Sequence, residues 1–366
     1  MLSYCTNVHP AEDLDGIVRQ LDTYAVPVRE RLGLDLLGVG LWLAADVASA
    51  LAEDPDTRAR FAGELKARGL GVQTLNAFPY GGFHDDVVKH AVYVPEWTDP
   101  RRLRYTRDCL TVLADLLHED ASYGSISTLP LAWREPWDPA DDERAAKAFE
   151  EVTAHAKALS ERDGRLLRLA VEPEPGCVLD TVADAVSWLS GRVDPDHVGV
   201  CLDTCHLAVS FADPAREVRR VHDAGLDVVK VQASAALHVE NPAEDRARAA
   251  LAEFCEPRYL HQVRELSPTG EVLAADDLDA ALTDLPGAGP WRVHFHVPLH
   301  TRPAPPLTST TDVLVDAMTA LDESGRPRPH VEVETYTWTV LPEADRTDLA
   351  VGIADELGWA RTEVAA

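Results

Sequence analysis

Short apolar runs that finish in acids, amides or imidazoles carry the chemistry legible in this chain. RLAVEPEPG puts Glu172 and Glu174 on one parity of an extended strand. Pro173 between them lacks an amide donor and marks the end of regular pairing, so Glu172 is the last acid within the strand and Glu174 lies on the loop beyond it, placed to meet substrate. VGVCLDTCH leads to Asp203, with His206 three positions on, and VVKVQAS ends at Gln232 with Lys230 on the same parity. HVEVETYTW carries Glu332 and Glu334 on one face, and WRVHFHVPLH offers His294 and His296. Glu334 is nearer its strand end; Glu332 lies two residues deeper, in a layer expected to be apolar. Carboxylates brought together repel, and a divalent ion is the simplest stabilising partner. Oxygen donors with one imidazole favour Mn²⁺ or Mg²⁺, with Zn²⁺, Co²⁺ or Fe²⁺ also accommodated. A metal-free polar pocket is the competing reading.

The elements that must position these residues follow a repeated rhythm. A charged, helix-like stretch ends at Gly and gives way to an apolar run of strand length, as in KARGLGVQTLNAF, ERDGRLLRLAVEPEP and HDAGLDVVKVQAS. With the opening LSYCTN and with YGSISTL, eight strands alternate with helices, which predicts a (β/α)8 TIM barrel in one domain spanning 1–366. In such a barrel the polar strand ends converge at one mouth. Residues 235–290 exceed what a crossover requires and are followed by the ninth strand-like run, 291–300. Either an insertion of approximately 235–300 precedes the last strand, or this run replaces one of the eight. The Pro-rich 301–310 reads as a loop.

VEPEP, CLDTCH and VEVET resemble the strand-end motifs of the xylose isomerase-like TIM barrels, which include ketose 3-epimerases, hydroxypyruvate isomerases and endonuclease IV. The resemblance implies one divalent metal held by Glu172, Asp203 and Glu334, with Glu172 and Glu334 also moving protons and His206 touching substrate. At the third ligand position the family's His is here Gln232, whose amide oxygen is a weaker donor; His296 is the other residue that would complete the sphere. SYCTNVHP, KVQAS and HFHVPLH look like the EboE-type metabolite traffic proteins, a subgroup linked to secondary metabolism. Around the mouth, His9, Asn76 and His294 are further substrate contacts. Asn7 is a weaker candidate, and turn formation competes as the reading of the Asn residues. WREPW (133–137) offers indoles that would roof the pocket.

With 34 Lys and Arg against 62 Asp and Glu, the net charge of −28 disfavours nucleic acid and anionic membranes. Nuclease chemistry of the endonuclease IV kind would also need histidines at the second and third strand ends, which read GLWLA and LNAFPY. No apolar run approaches a membrane span, and the N-terminus lacks a secretory pattern, so a cytoplasmic location is expected. The six cysteines, without paired spacing, are expected to be buried thiols. Two functions remain. The first is isomerisation or epimerisation of a small polyhydroxylated carbonyl metabolite through an enediolate. The second is a barrel that binds or hands on a metabolite without turnover. Homo-oligomers and pathway partner proteins are left open.

Overall fold

A computed structural model describes residues 1–364. The strands are β1 (Leu2–Cys5), β2 (Leu37–Trp42), β3 (Leu70–Asn76), β4 (Tyr123–Thr128), β5 (Leu166–Val171), β6 (Val198–Asp203) and β7 (Val228–Ala233), followed by five short strands and a last one. The short ones are β8 (Leu237–Val239), β9 (Val263–Leu266), β10 (Val272–Ala275), β11 (Trp291–Val293) and β12 (Leu307–Ser309), and the last is β13 (His330–Val333). The eight runs read as strands from the sequence form a closed parallel barrel in the order β1-β13-β7-β6-β5-β4-β3-β2. The ends of the chain close it, with Leu2 opposite Val331 and Tyr4 opposite Val333.

The helices between strands obey their local signals. The longest, Pro139–Asp163, starts from a reciprocal capping box between Asp138 and Asp141 and stops at Gly164. Gly164 sits at φ 67°, the left-handed conformation that its missing Cβ permits.

The run 291–300 does not replace a barrel strand. Its first three residues are β11, in a separate five-stranded sheet of order β10-β9-β11-β8-β12. That sheet also corrects the Pro-rich loop, because residues 307–309 are β12, antiparallel to β8. The excursion therefore reaches nine residues past its expected end. Among the cysteines, Cys255 is exposed, contrary to expectation, and the other five are buried.

The interior layer beneath the mouth is polar, not apolar as expected. The Lys230 ammonium lies 2.6 Å from Glu332, both side chains being 0% exposed, and also reaches Ser127 Oγ at 3.2 Å. A charge buried this deeply persists only with a partner. Gly40 on β2 makes the room, since a Cβ there would come within 1.2 Å of Glu332 Oε1.

Replacing Lys230 by Met strands the Glu332 carboxylate, and the expected cost is about 3–5 kcal/mol in chemical denaturation. Adding Glu332→Leu to Lys230→Met should recover most of it; no recovery would show that the pair is not what the layer needs.

Glu356, on helix Leu349–Glu363, accepts from the Leu299 amide at 2.9 Å and the Thr335 hydroxyl at 2.6 Å. Burial pushes its carboxyl up to about 7. The folded state thus favours the protonated form. Its contribution, ~3 kcal/mol, is complete below the unfolded-chain value near ~4.3 and is lost as pH rises through about 7. Melting temperature should fall between pH 5 and 8 for the native chain, and the slope should flatten in Glu356→Gln, which keeps the acceptor oxygen.

Candidate metal and substrate site

Where β6 ends, the chain turns at once into the helix Thr204–Val209, and Asp203 caps it. Asp203 Oδ1 accepts from the His206 amide at 2.9 Å and from Ser234 Oγ at 2.8 Å. Those two bonds fix the carboxylate and leave Oδ2, buried, with no hydrogen-bond partner. Glu172 is held through its backbone, its amide donating to Thr128 O at 3.0 Å, and its Oε2 is likewise unpartnered. Glu334 follows β13; its Oε1 accepts from Asn7 at 2.7 Å and Asn76 at 2.8 Å. One carboxylate oxygen from each of Glu172, Asp203 and Glu334 lies within 4.8 Å of the other two.

The two residues weighed for the remaining donor both face this place. Gln232 is paired in register with Asp203 on one side and Glu332 on the other, and both its polar side-chain atoms are buried without partners. His296, just past β11, donates from Nδ1 to Glu334 O at 2.7 Å. Its Nε2 has no hydrogen-bond partner and lies 3.9 Å from Asp203 Oδ2. Asp203 stands with carboxylate oxygens of Glu172 and Glu334 and near the His296 nitrogen, and the unpartnered Gln232 amide lies on the neighbouring strand in register with it. That is a donor set a divalent ion would satisfy, so the residues present fit the metal that the sequence implies. The charges argue the same way. Burial, then Glu334 and Asp203, raises the Glu172 carboxyl well above its usual range. Burial, then Asp203 and Glu332, does the same to Glu334. Burial also works against an ionised Asp203, but His206, His296 and the two hydrogen bonds outweigh it and the carboxyl is lowered. His296 is pushed down to about 4 by burial and is neutral at pH 7, with a lone pair to offer.

Beside the donor set is a cavity of about 60 Å³ lined by Glu172, Glu174, His206, His294, His296 and Glu334, among others. It has room for several waters or the hydroxylated end of a small molecule. Asn7, Asn76, Phe83, Tyr93, Tyr259 and Tyr336 complete much of its wall. Glu174, whose carboxyl burial raises, takes a 2.6 Å bond from the Tyr93 hydroxyl.

His9 is not brought to this cavity. It bonds the Tyr4 hydroxyl at 3.1 Å and stacks on Tyr24, which makes it a packing residue at the start of the barrel. The Trp133 indole stands one layer back, 5.2 Å from the Tyr93 ring. Sequence reading missed Tyr93, Tyr259, Gln262 and Tyr336. Nothing in their local sequence marks them: Tyr93 and Tyr336 come from short turns after β3 and β13, and Tyr259 and Gln262 from the inserted segment.

A parallel barrel with acids, amides and imidazoles at its C-terminal strand ends defines a recognisable class. The chain belongs to the xylose isomerase-like TIM barrel family, whose profile matches residues 30–248. No curated protein matches it in sequence. Among solved structures it is similar to an L-ribulose 3-epimerase, with 14% identity, 100% of this chain and 94% of that one covered, and a TM-score of 0.56. It is also similar to a xylose isomerase domain protein from Planctomyces limnophilus (13% identity, 100% and 97% covered, TM-score 0.55). A third is the IOLI protein solved with a bound zinc atom (15% identity, 100% and 98% covered, TM-score 0.50). At these identities the likeness is one of fold.

Asp203→Ala and Glu334→Ala should each lower bound divalent metal by about one equivalent per chain in elemental analysis, with circular dichroism unchanged. Full occupancy in both variants would move the metal elsewhere.

Proposed function

We propose that this chain is a divalent-metal-dependent isomerase or epimerase acting on a small polyhydroxylated carbonyl compound, a sugar or sugar-like metabolite. The observation that carries the reading is the convergence of Glu172, Asp203, Gln232, His296 and Glu334, four of them with unpartnered buried donor atoms, beside a cavity with aromatic and amide walls. The L-ribulose 3-epimerase of the same fold and the zinc atom in the IOLI structure support it. The likeness to EboE-type proteins extends the reading to secondary metabolism in the cytoplasm.

When bound, a divalent ion supplies polarisation of a carbonyl and its neighbouring hydroxyl, which eases removal of the proton between them. The chain's own residues do the rest. Glu172 and Glu334 stand just past β5 and β13, with β6 and β7 between those strands in the ring, and so flank a ligand between them. One takes the α-proton and the other returns a proton to the opposite face, which inverts the carbon. Return to the neighbouring carbon would instead interconvert aldose and ketose. Burial raises both carboxyls above the usual carboxylate range, which makes each a stronger base when ionised. Asn7 and Asn76 hold Glu334 by Oε1, leaving Oε2 for the proton. His206 and Glu174 are the contacts for substrate hydroxyls.

Incubation with a panel of ketoses, their phosphates and cyclic polyols in D₂O should place deuterium beside a carbonyl in at least one compound. Glu334→Gln, whose amide cannot accept the proton, should reduce that exchange by about 10²–10⁴-fold. Tight binding of a panel member without exchange anywhere would instead make the barrel a metabolite carrier.

A further inference from the structure

His206 and His294 meet in a way that ordinary hydrogen bonding does not satisfy. Their Nε2 atoms face each other at 3.1 Å, and both rings are buried. The protons of both rings are already placed. His206 Nδ1 lies 2.8 Å from the Pro173 carbonyl, which can only accept. His294 Nδ1 lies 2.7 Å from Gln262 Oε1. The orientation of that amide is set by its other end, where Nε2 donates to the Pro175 carbonyl at 2.9 Å and towards Glu174 Oε1 at 3.3 Å. Each neutral imidazole therefore carries its hydrogen on Nδ1, and neither Nε2 has a hydrogen to give the other. The Tyr336 hydroxyl is 3.5 Å from His294 Nε2, too long to relieve them well.

We propose that His206, His294 and Glu174 hold a second divalent ion, of the zinc class, next to the donor set of Glu172, Asp203 and Glu334. An N···N spacing slightly above 3 Å is what two imidazoles present when each stands about 2.0–2.1 Å from a shared ion. A carboxylate oxygen of Glu174 lies within 4.8 Å of a ring nitrogen of each histidine, and its Oε1 is 3.7 Å from His294 Nδ1. Its Oε1 is occupied by Tyr93 and Gln262, so Oε2 is the atom free to coordinate. A carbonyl acceptor on the far nitrogen of each ring is the support that metal-bound histidines usually have. Three protein donors leave a position for water or a substrate oxygen, the arrangement of catalytic zinc sites.

His294 and its support Gln262 both come from the inserted segment, so a barrel without it would lack this site. The two donor sets adjoin, the His296 ring centre lying 5.3 Å from that of His294 and 6.1 Å from that of His206. The ligand class that suits a pair of neighbouring ions is one with two adjacent oxygens, such as a hydroxy-ketone. The inference stands on the histidine geometry and does not need the first donor set to be a metal site.

Metal-stripped protein titrated with Zn²⁺ and analysed for bound metal should reach two ions per chain. His294→Gln and His206→Gln should each fall from two to one. A native chain that binds no ion, or a native stoichiometry of one or two ions that both variants retain, overturns the proposal. A measurement on the native chain guards against misfolded variants: anomalous scattering from Zn²⁺-soaked crystals. A peak between His206 Nε2 and His294 Nε2 sustains the second site. A peak only among Glu172, Asp203 and Glu334 overturns it while leaving the first donor set standing, and no peak at either place sinks both.

Discussion

Inside the barrel, buried negative charge has to be balanced, and the Lys230–Glu332 pair sets the terms. Glu332 lies one layer below Glu334 and adds to the burial that raises the Glu334 carboxyl, whereas Lys230 partly relieves both Glu172 and Glu334. One ammonium cannot neutralise Glu332 together with the three acids above it. The remaining negative charge faces the mouth, where a divalent ion is the compact answer. Gly40 belongs to the same constraint, because any side chain there would occupy the place of the Glu332 carboxylate. The site is thus built from the floor upward: a glycine admits an acid, a lysine neutralises it, and three further acids stand above, none with an ammonium or guanidinium partner of its own among the described residues.

The inserted sheet supplies the other half of the site. It brings His294 and His296 over the barrel mouth and, through Tyr259 and Leu260, walls the cavity on that side. Barrel strands supply the carboxylates, and the insertion supplies two of the three clustered imidazoles. The weak donor Gln232 and the strong donor His296 are then complementary, since the insertion offers an imidazole next to the strand end that has only an amide.

The barrel was legible because most of its strands are short, mainly apolar runs that follow a Gly and finish in polar residues, and because period-2 alternation put Glu172, Asp203 and Glu334 on the inward face. The second sheet was not. Its strands are only three or four residues long, too short for alternation to rise above chance, and β12 hides in a Pro-rich stretch. The polar layer was missed for a different reason. Glu332 and Lys230 were visible on the right parity, but their pairing depends on β7 and β13 being neighbours, which follows from barrel closure and not from either strand's sequence. His9 was misread because a polar residue after a strand end can turn away from the mouth, and the stacking partner that draws it away, Tyr24, lies in the following helix.

The pairing of β1 with β13 has a bearing on the order of events during synthesis. Glu334 is made more than three hundred residues after Asn7, yet the two bond at 2.7 Å. Strands β5 to β7 can meet while translation continues, presenting Glu172, Asp203 and Gln232 as a partial set. The final carboxylate, and the amides that steady it, come together only when the seam between β1 and β13 closes. The three carboxylates are therefore complete as a set only after β13 has been made, and until then the nascent chain presents no more than part of it.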